Sequence, residues 1–320
     1  MAKIKAFYII LGFQSVLSAV PHSHSHGGGE RVQDGARSPR DNDHYKDGAH
    51  DASFDHEAIL GSAREAQEFD QLSPEEAKKR LSVLVDKMDA SGNGMIDKTE
   101  LKNWILASFK SLSKEESNER FEDSDANRDG VVTWLEYRQE EFDIDEDEDV
   151  ESPERLEELA MLEEDRILFE AADKDENEQL TKEEFLSFTH PEEDAEMIRP
   201  ALERAKQAKD KNNDGKIDFQ EFVGERGKDQ SKDWLLGEKE RFDEDLDKNQ
   251  DGSLDDAEII AWVIPDSDEI ASDEVNHLFA GADEDVDGLL SKDEILNNHD
   301  LFVGGEVTNY GEMLRNKEEL

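Results

Sequence analysis

DKNNDGKIDFQE, running from Asp210 to Glu221, is the stretch that decides how this chain is read. Its oxygen-bearing side chains fall at positions 1, 3, 5, 9 and 12: Asp210, Asn212, Asp214, Asp218 and Glu221. Alternating hard oxygen donors along a tight loop suit a hard cation that takes six to eight oxygens, which is calcium. Position 7, Lys216, offers a backbone carbonyl, so its side chain is free to vary. Gly215 at position 6 reaches φ > 0 without a Cβ clash and allows the sharp turn. Glu221 is long enough to reach back and bind through both oxygens. Ile217 at position 8 is apolar because it lies in a short strand that pairs with another loop.

The unit recurs six times, starting at Asp89, Asp125, Asp173, Asp210, Asp247 and Asp283, at steps of 36, 48, 37, 37 and 36 residues. In so acidic a chain one match could be chance, but six in register are an EF-hand array. The expected calcium ligands of loop 1 are Asp89, Ser91, Asn93, Met95 (carbonyl), Asp97 and Glu100. Loop 2 offers Asp125, Asn127, Asp129, Val131 (carbonyl), Thr133 and Glu136. Loop 3 offers Asp173, Asp175, Asn177, Gln179 (carbonyl), Thr181 and Glu184. Loop 4 adds the carbonyl of Lys216 to the five residues above. Loop 5 offers Asp247, Asn249, Asp251, Ser253 (carbonyl), Asp255 and Glu258. Loop 6 offers Asp283, Asp285, Asp287, Leu289 (carbonyl), Ser291 and Glu294. Position 8 is apolar throughout: Ile96, Val132, Leu180, Ile217, Leu254 and Leu290. Position 6 is glycine in every loop but the third, which has Glu178. Loops 1 to 3 carry three ligand carboxylates each and loops 4 to 6 carry four. Up to six Ca2+ are expected, the third site being the weakest.

The fold expected is all-α: six helix-loop-helix units in three pairs, with short two-stranded β links between paired loops. Even spacing suggests pairing loop 1 with 2, 3 with 4 and 5 with 6. The boundaries that follow are a first pair at 54–139, an acidic linker at 140–155, a second pair at 156–228 and a third at 229–305. Ser73-Pro74-Glu75-Glu76 reads as an N-cap, a proline at N1 and a capping-box glutamate. Phe121, Phe169 and Phe279 lie four residues before a loop, and Leu101, Phe185 and Phe222 just after one. These, with Trp104, Trp134, Trp234 and Trp262, are read as module core.

The chain has 320 residues, a formal charge of −48 and no cysteine. Such acidity argues against nucleic acid and anionic membranes as partners and favours cations. Lys3 and Lys5 precede an apolar run ending near Ser18 and Ala19, which reads as a signal peptide at 1–19, too short and interrupted for a stable membrane span. Cleavage would take the formal charge from −48 to −50. Residues 20–53, rich in His, Gly, Ser and Asp, are expected to be disordered. The tail, 306–320, ends Lys317-Glu318-Glu319-Leu320, one conservative change from a Lys-Asp-Glu-Leu retrieval signal. A chain that enters an oxidising compartment without cysteine would be stapled by calcium rather than by disulfides.

These features, with VTWLEY (Val132 to Tyr137), FLSFTHPEE (Phe185 to Glu193), AWVIP (Ala261 to Pro265) and LFVGGEVTNYGE (Leu301 to Glu312), resemble the CREC family of reticulocalbins and calumenin. The resemblance runs from about residue 54 to the end. It implies low-affinity calcium binding in the endoplasmic reticulum lumen and association with client proteins. The function expected is a luminal, multi-site calcium buffer that compacts on binding. The alternative is a calcium-dependent chaperone or regulator of secretory proteins, and the alternative location is outside the cell. Expected partners are calcium, secretory-pathway clients and the retrieval receptor. No catalytic or cofactor-binding residue is expected: the chain has no phosphate loop and no nucleophile motif.

Overall fold

The computed structural model describes residues 45–46, 49–50, 52–142, 153–228 and 230–304. The expected signal peptide, most of the polar segment, the centre of the acidic linker and the KEEL tail lie outside them. Within the segment expected to be disordered, β1 (Tyr45–Lys46) pairs antiparallel with β2 (Ala49–His50). The sequence places Asp47-Gly48 between them, a dipeptide suited to a tight hairpin turn. Helix α1 (Ala52–Leu60) follows, then α2 (Ala63–Phe69).

Each hand is an incoming helix, a loop with a two-residue strand, and an outgoing helix. Hand 1 is α3 (Pro74–Met88), β3 (Met95–Ile96) and the start of α4 (Lys98–Ser124). Ser73 caps α3 by accepting from Glu76 N, with Pro74 in the first turn, as expected, but the Glu76 carboxylate meets Lys79 and Arg80 instead of completing a capping box. Its buried face, Ala77, Leu81, Val85 and Met88, recurs at helical spacing. Hand 2 uses the end of α4, β4 (Val132–Thr133) and α5 (Trp134–Phe142). Hand 3 is α6 (Pro153–Ala172), β5 (Gln179–Leu180) and α7 (Lys182–Thr189). Hand 4 is α8 (Ile198–Lys209), β6 (Ile217–Asp218) and α9 (Phe219–Val223). Hand 5 is α10 (Lys232–Arg241), continued by one π turn over Phe242–Leu246, then β7 (Ser253–Leu254) and α11 (Asp256–Val263). Hand 6 is α12 (Ser267–Ala282), β8 (Leu290–Ser291) and α13 (Lys292–Asn297), followed by α14 (His299–Phe302).

The hands do pair through two-stranded links, but not as even spacing suggested. Strand β3 pairs with β8, β4 with β5 and β6 with β7, so the partners are hands 1 and 6, 2 and 3, and 4 and 5. The reason lies in α4. Its 27 residues run unbroken from loop 1 to loop 2, a rod of about 40 Å at ~1.5 Å per residue. Loops at opposite ends of such a rod cannot approach to the ~4.8 Å spacing of paired strands. The 48-residue step, read as a boundary between pairs, instead separates two partners: α5 leaves loop 2, α6 returns to loop 3, and the two helices pack together.

Three cores follow the observed pairing. One joins α1 and α2 to hands 1 and 6, through Phe54, Ile59, Leu81, Leu101, Phe109, Leu278, Phe279 and Phe302. A second, rich in edge-on aromatic contacts, joins hands 2 and 3 through Phe121, Tyr137, Phe169, Phe185 and Phe188. The third joins hands 4 and 5 through Phe222, Phe242, Ile259 and Trp262. Trp104, Trp134 and Trp234 pack at the edges of these cores, so the aromatic residues around the loops are core, as expected. Helix α8 spans two cores, with Ala201 in the second and Ala205 in the third. Among the described residues no helix is long and apolar enough to cross a membrane.

Candidate calcium sites

The six loops are built alike. In each loop the first expected ligand also closes the incoming helix with its own N–H: Asp89, Asp125, Asp173, Asp210, Asp247 and Asp283. Its carboxylate then accepts from the backbone of positions 5 and 6. Asp89 takes the N–H groups of Asn93 (3.0 Å) and Gly94 (2.7 Å), and Asp210 those of Asp214 (3.2 Å) and Gly215 (2.8 Å). Asp125, Asp173, Asp247 and Asp283 repeat the pattern. The loop is thus folded around its first carboxylate, and the Gly94 N–H holds Asp89 below the ordinary carboxylate range.

At the other end, positions 9 and 12 form the capping box of the outgoing helix. Asp97 and Glu100, Thr181 and Glu184, Asp218 and Glu221, Asp255 and Glu258, and Ser291 and Glu294 satisfy each other's backbone N–H groups. In loop 2, Glu136 Oε2 accepts from Thr133 N (3.0 Å) and Oγ1 (2.8 Å). In the other five loops the free oxygen of the position-12 glutamate reaches across to a backbone N–H at position 2 or 3, such as Ser91 (2.9 Å) and Glu284 (3.0 Å). The same glutamate therefore starts a helix and closes a loop. Position 8 sits at the centre of each link: Ile96 faces Leu290, Val132 faces Leu180 and Ile217 faces Leu254, all buried.

These donor sets fit calcium. Every loop places hard oxygens at the same positions, and in five of them a long carboxylate closes the loop. Among the described residues, the carboxylate groups whose oxygens converge within 4.8 Å are Asp173, Asp175 and Glu184 in loop 3, and Asp283, Asp285 and Asp287 in loop 6. Loop 3, expected to be weakest, is thus one of the two most closely gathered. Its handicap is in the backbone: Glu178 holds φ 66°, where the other five loops have glycine at φ 82–89°. In loops 4 and 5, Lys216 donates to Asp251 Oδ2 (2.7 Å). A position-7 side chain of one loop thereby holds a ligand of its partner, and Asp251 is pulled down by that contact.

One requirement escaped the sequence reading. Position 4 is also left-handed in every loop: Gly92, Arg128, Glu176, Asn213, Gln250 and Val286. Only Gly92 and Asn213 announce it by residue type. Val286, β-branched, at φ 58° and 83% exposed, is the most strained of them.

Comparison with known proteins agrees with this geometry. The EF-hand domain pair family matches residues 163–225 and an EF-hand family matches 86–106. The first match spans hands 3 and 4, which follow one another in sequence but are not strand partners. The chain is 38% identical to reticulocalbin-2 of Crotalus adamanteus over 84% of its length and 91% of that protein. It is 37% identical to reticulocalbin-2 of Mus musculus, over 85% and 87% respectively. It is 36% identical to reticulocalbin-3 of Homo sapiens, over 94% and 93%.

Proposed function

Because the chain belongs to the reticulocalbin family, and is therefore a calcium-binding EF-hand protein and not an enzyme, we propose that it is a low-affinity calcium buffer of the secretory-pathway lumen that compacts as its loops fill. The observation that carries this reading is the shared geometry of all six loops, each folded on its first carboxylate and five of them spanned by their last. Weak sites, near 10⁻⁴–10⁻³ M, are the useful ones where calcium is abundant. Filling them removes carboxylate repulsion in a chain of charge −48, and binding to the folded state stabilises it by mass action. The stretch 1–19, read as a signal peptide, and the KEEL ending support residence in the endoplasmic reticulum through a retrieval receptor. The ligands named for the six loops are the proposed sites, the third the weakest because of Glu178.

Titration of the mature chain with calcium by calorimetry, with circular dichroism on the same samples, tests the proposal. Several high-micromolar to millimolar sites with rising helix content support it. Sub-micromolar sites without structural change overturn the buffer reading. Glu184→Gln should scarcely change the stoichiometry at sub-millimolar calcium; loss of one tight site would contradict the weak third loop.

A second reading, a calcium-regulated partner of secretory proteins, is favoured by a cleft of about 760 Å³ beside loops 2 and 3. Its apolar lining is Trp134, Leu135, Leu159, Leu162 and Phe169, set among charged residues such as Arg138, Glu163 and Arg166, and Leu135 is exposed. Calcium-dependent capture of a luminal client that Leu135→Ala weakens, with calcium binding intact, would support that reading.

A further inference from the structure

Helix α1 fills the apolar face made by hands 1 and 6. Phe54 packs on Phe109 with ring centres 6.0 Å apart, Trp104 Nε1 donates to Ile59 O (2.8 Å), and His56 Nε2 lies 3.0 Å from Asp300 O. Against this apolar seat stand two carboxylates with no solvent exposure, Asp55 on α1 and Glu274 on α12. Glu274 lies within reach of the Asp55 charge. His277, one turn along α12, places Nε2 3.5 Å from Asp55 Oδ2. Two like charges close together and away from water cannot both ionise without large cost, and a shared proton removes the conflict.

We propose that Asp55, Glu274 and His277 form a proton-operated latch: the proton shared between the carboxylates seats α1 on hands 1 and 6, and its loss to solvent releases α1 and uncovers the apolar face beneath. Burial, then the neighbouring Asp55, pushes the Glu274 carboxyl from 4.5 up to about 9. A group raised on docking contributes stability that is complete below its undocked value, near 4.5, and is lost as pH rises through about 9. Acid therefore closes the latch and alkali opens it. His277 stands beside the negative charge that the pair retains. Several other ionisable groups of this lobe are turned to other partners. From α1, His56 faces Asp70 and the Asp300 carbonyl; from α14, His299 lies beside Lys78 and Asp300; from α4, Lys98 donates to Asn276 and Lys102 to Asp268.

The test is hydrogen exchange on the full chain at saturating calcium, from pH 6 to 9, corrected for intrinsic amide chemistry. The opening constant of residues 52–60 should rise with pH, at a limiting slope of about tenfold per unit, while that of residues 198–209 stays flat. Glu274→Gln, which keeps the shape and removes the charge, should flatten the first profile. A wild-type profile that is flat, or a slope that survives in Glu274→Gln, overturns the proposal. Infrared spectroscopy supplies a readout independent of the variant's folding. The wild type should show a protonated-carboxyl band at pH 7.5, and its absence also overturns the latch.

Discussion

Backbone handedness and one intruding side chain set the quality of the individual loops. Glu178 sits at φ 66° where its counterparts are glycine. Glu178→Gly should stabilise the calcium-free chain by about 1 kcal/mol, measured as a higher denaturation midpoint, and should tighten the third site; an unchanged midpoint would show that the turn is unstrained. Val286→Asn should act the same way on loop 6, because asparagine tolerates the left-handed region that valine resists. Lys216 holds Asp251 across the link. Lys216→Met should free that ligand and raise the calcium affinity of loop 5, seen by titration at low salt. The loop positions were legible residue by residue, since oxygen-bearing side chains at fixed spacing leave little choice of chemistry. The position-4 strain was not, because Arg128, Glu176, Gln250 and Val286 are residue types with no left-handed preference.

Each helix and strand carries information at its ends and in what it lacks. Acidic and hydroxyl residues at positions 9 and 12 serve as capping boxes, so the loop pattern also announced these helix starts. Leu290 in β8 is fully buried against Ile96 in β3. Leu290→Ala should cost about 2–5 kcal/mol, as is typical of a buried leucine, and the loss should appear in hand 1 as well as hand 6 when each is followed by hydrogen exchange. Helix α4 contains neither glycine nor proline from Leu101 to Ser124. That absence was the available sign that loops 1 and 2 stand apart, and regular spacing concealed it. Lys114→Pro, at an exposed position, should break α4 at a cost of about 3 kcal/mol or more and uncouple melting of the first lobe from the second.

At the scale of the molecule, pairing the first hand with the last makes the chain close on itself. Helix α12 packs along α4, and Lys292 meets Asp86 across the join. A chain ending at Ala282 should therefore lose two sites in a calcium titration, not one, because β3 and the apolar face of hand 1 lose their cover. Loss of a single site would mean that hand 1 stands alone. By itself the sequence determined the hands, the apolar position 8, the aromatic core and the calcium chemistry. These rest on local spacing and on side-chain type, and both are written in twelve-residue windows. Only the tertiary structure decided which hands are partners, that α1 covers the lobe of hands 1 and 6, and that Asp55 meets Glu274. Those facts depend on where a rigid 27-residue helix sends the chain and on contacts between residues far apart in the sequence.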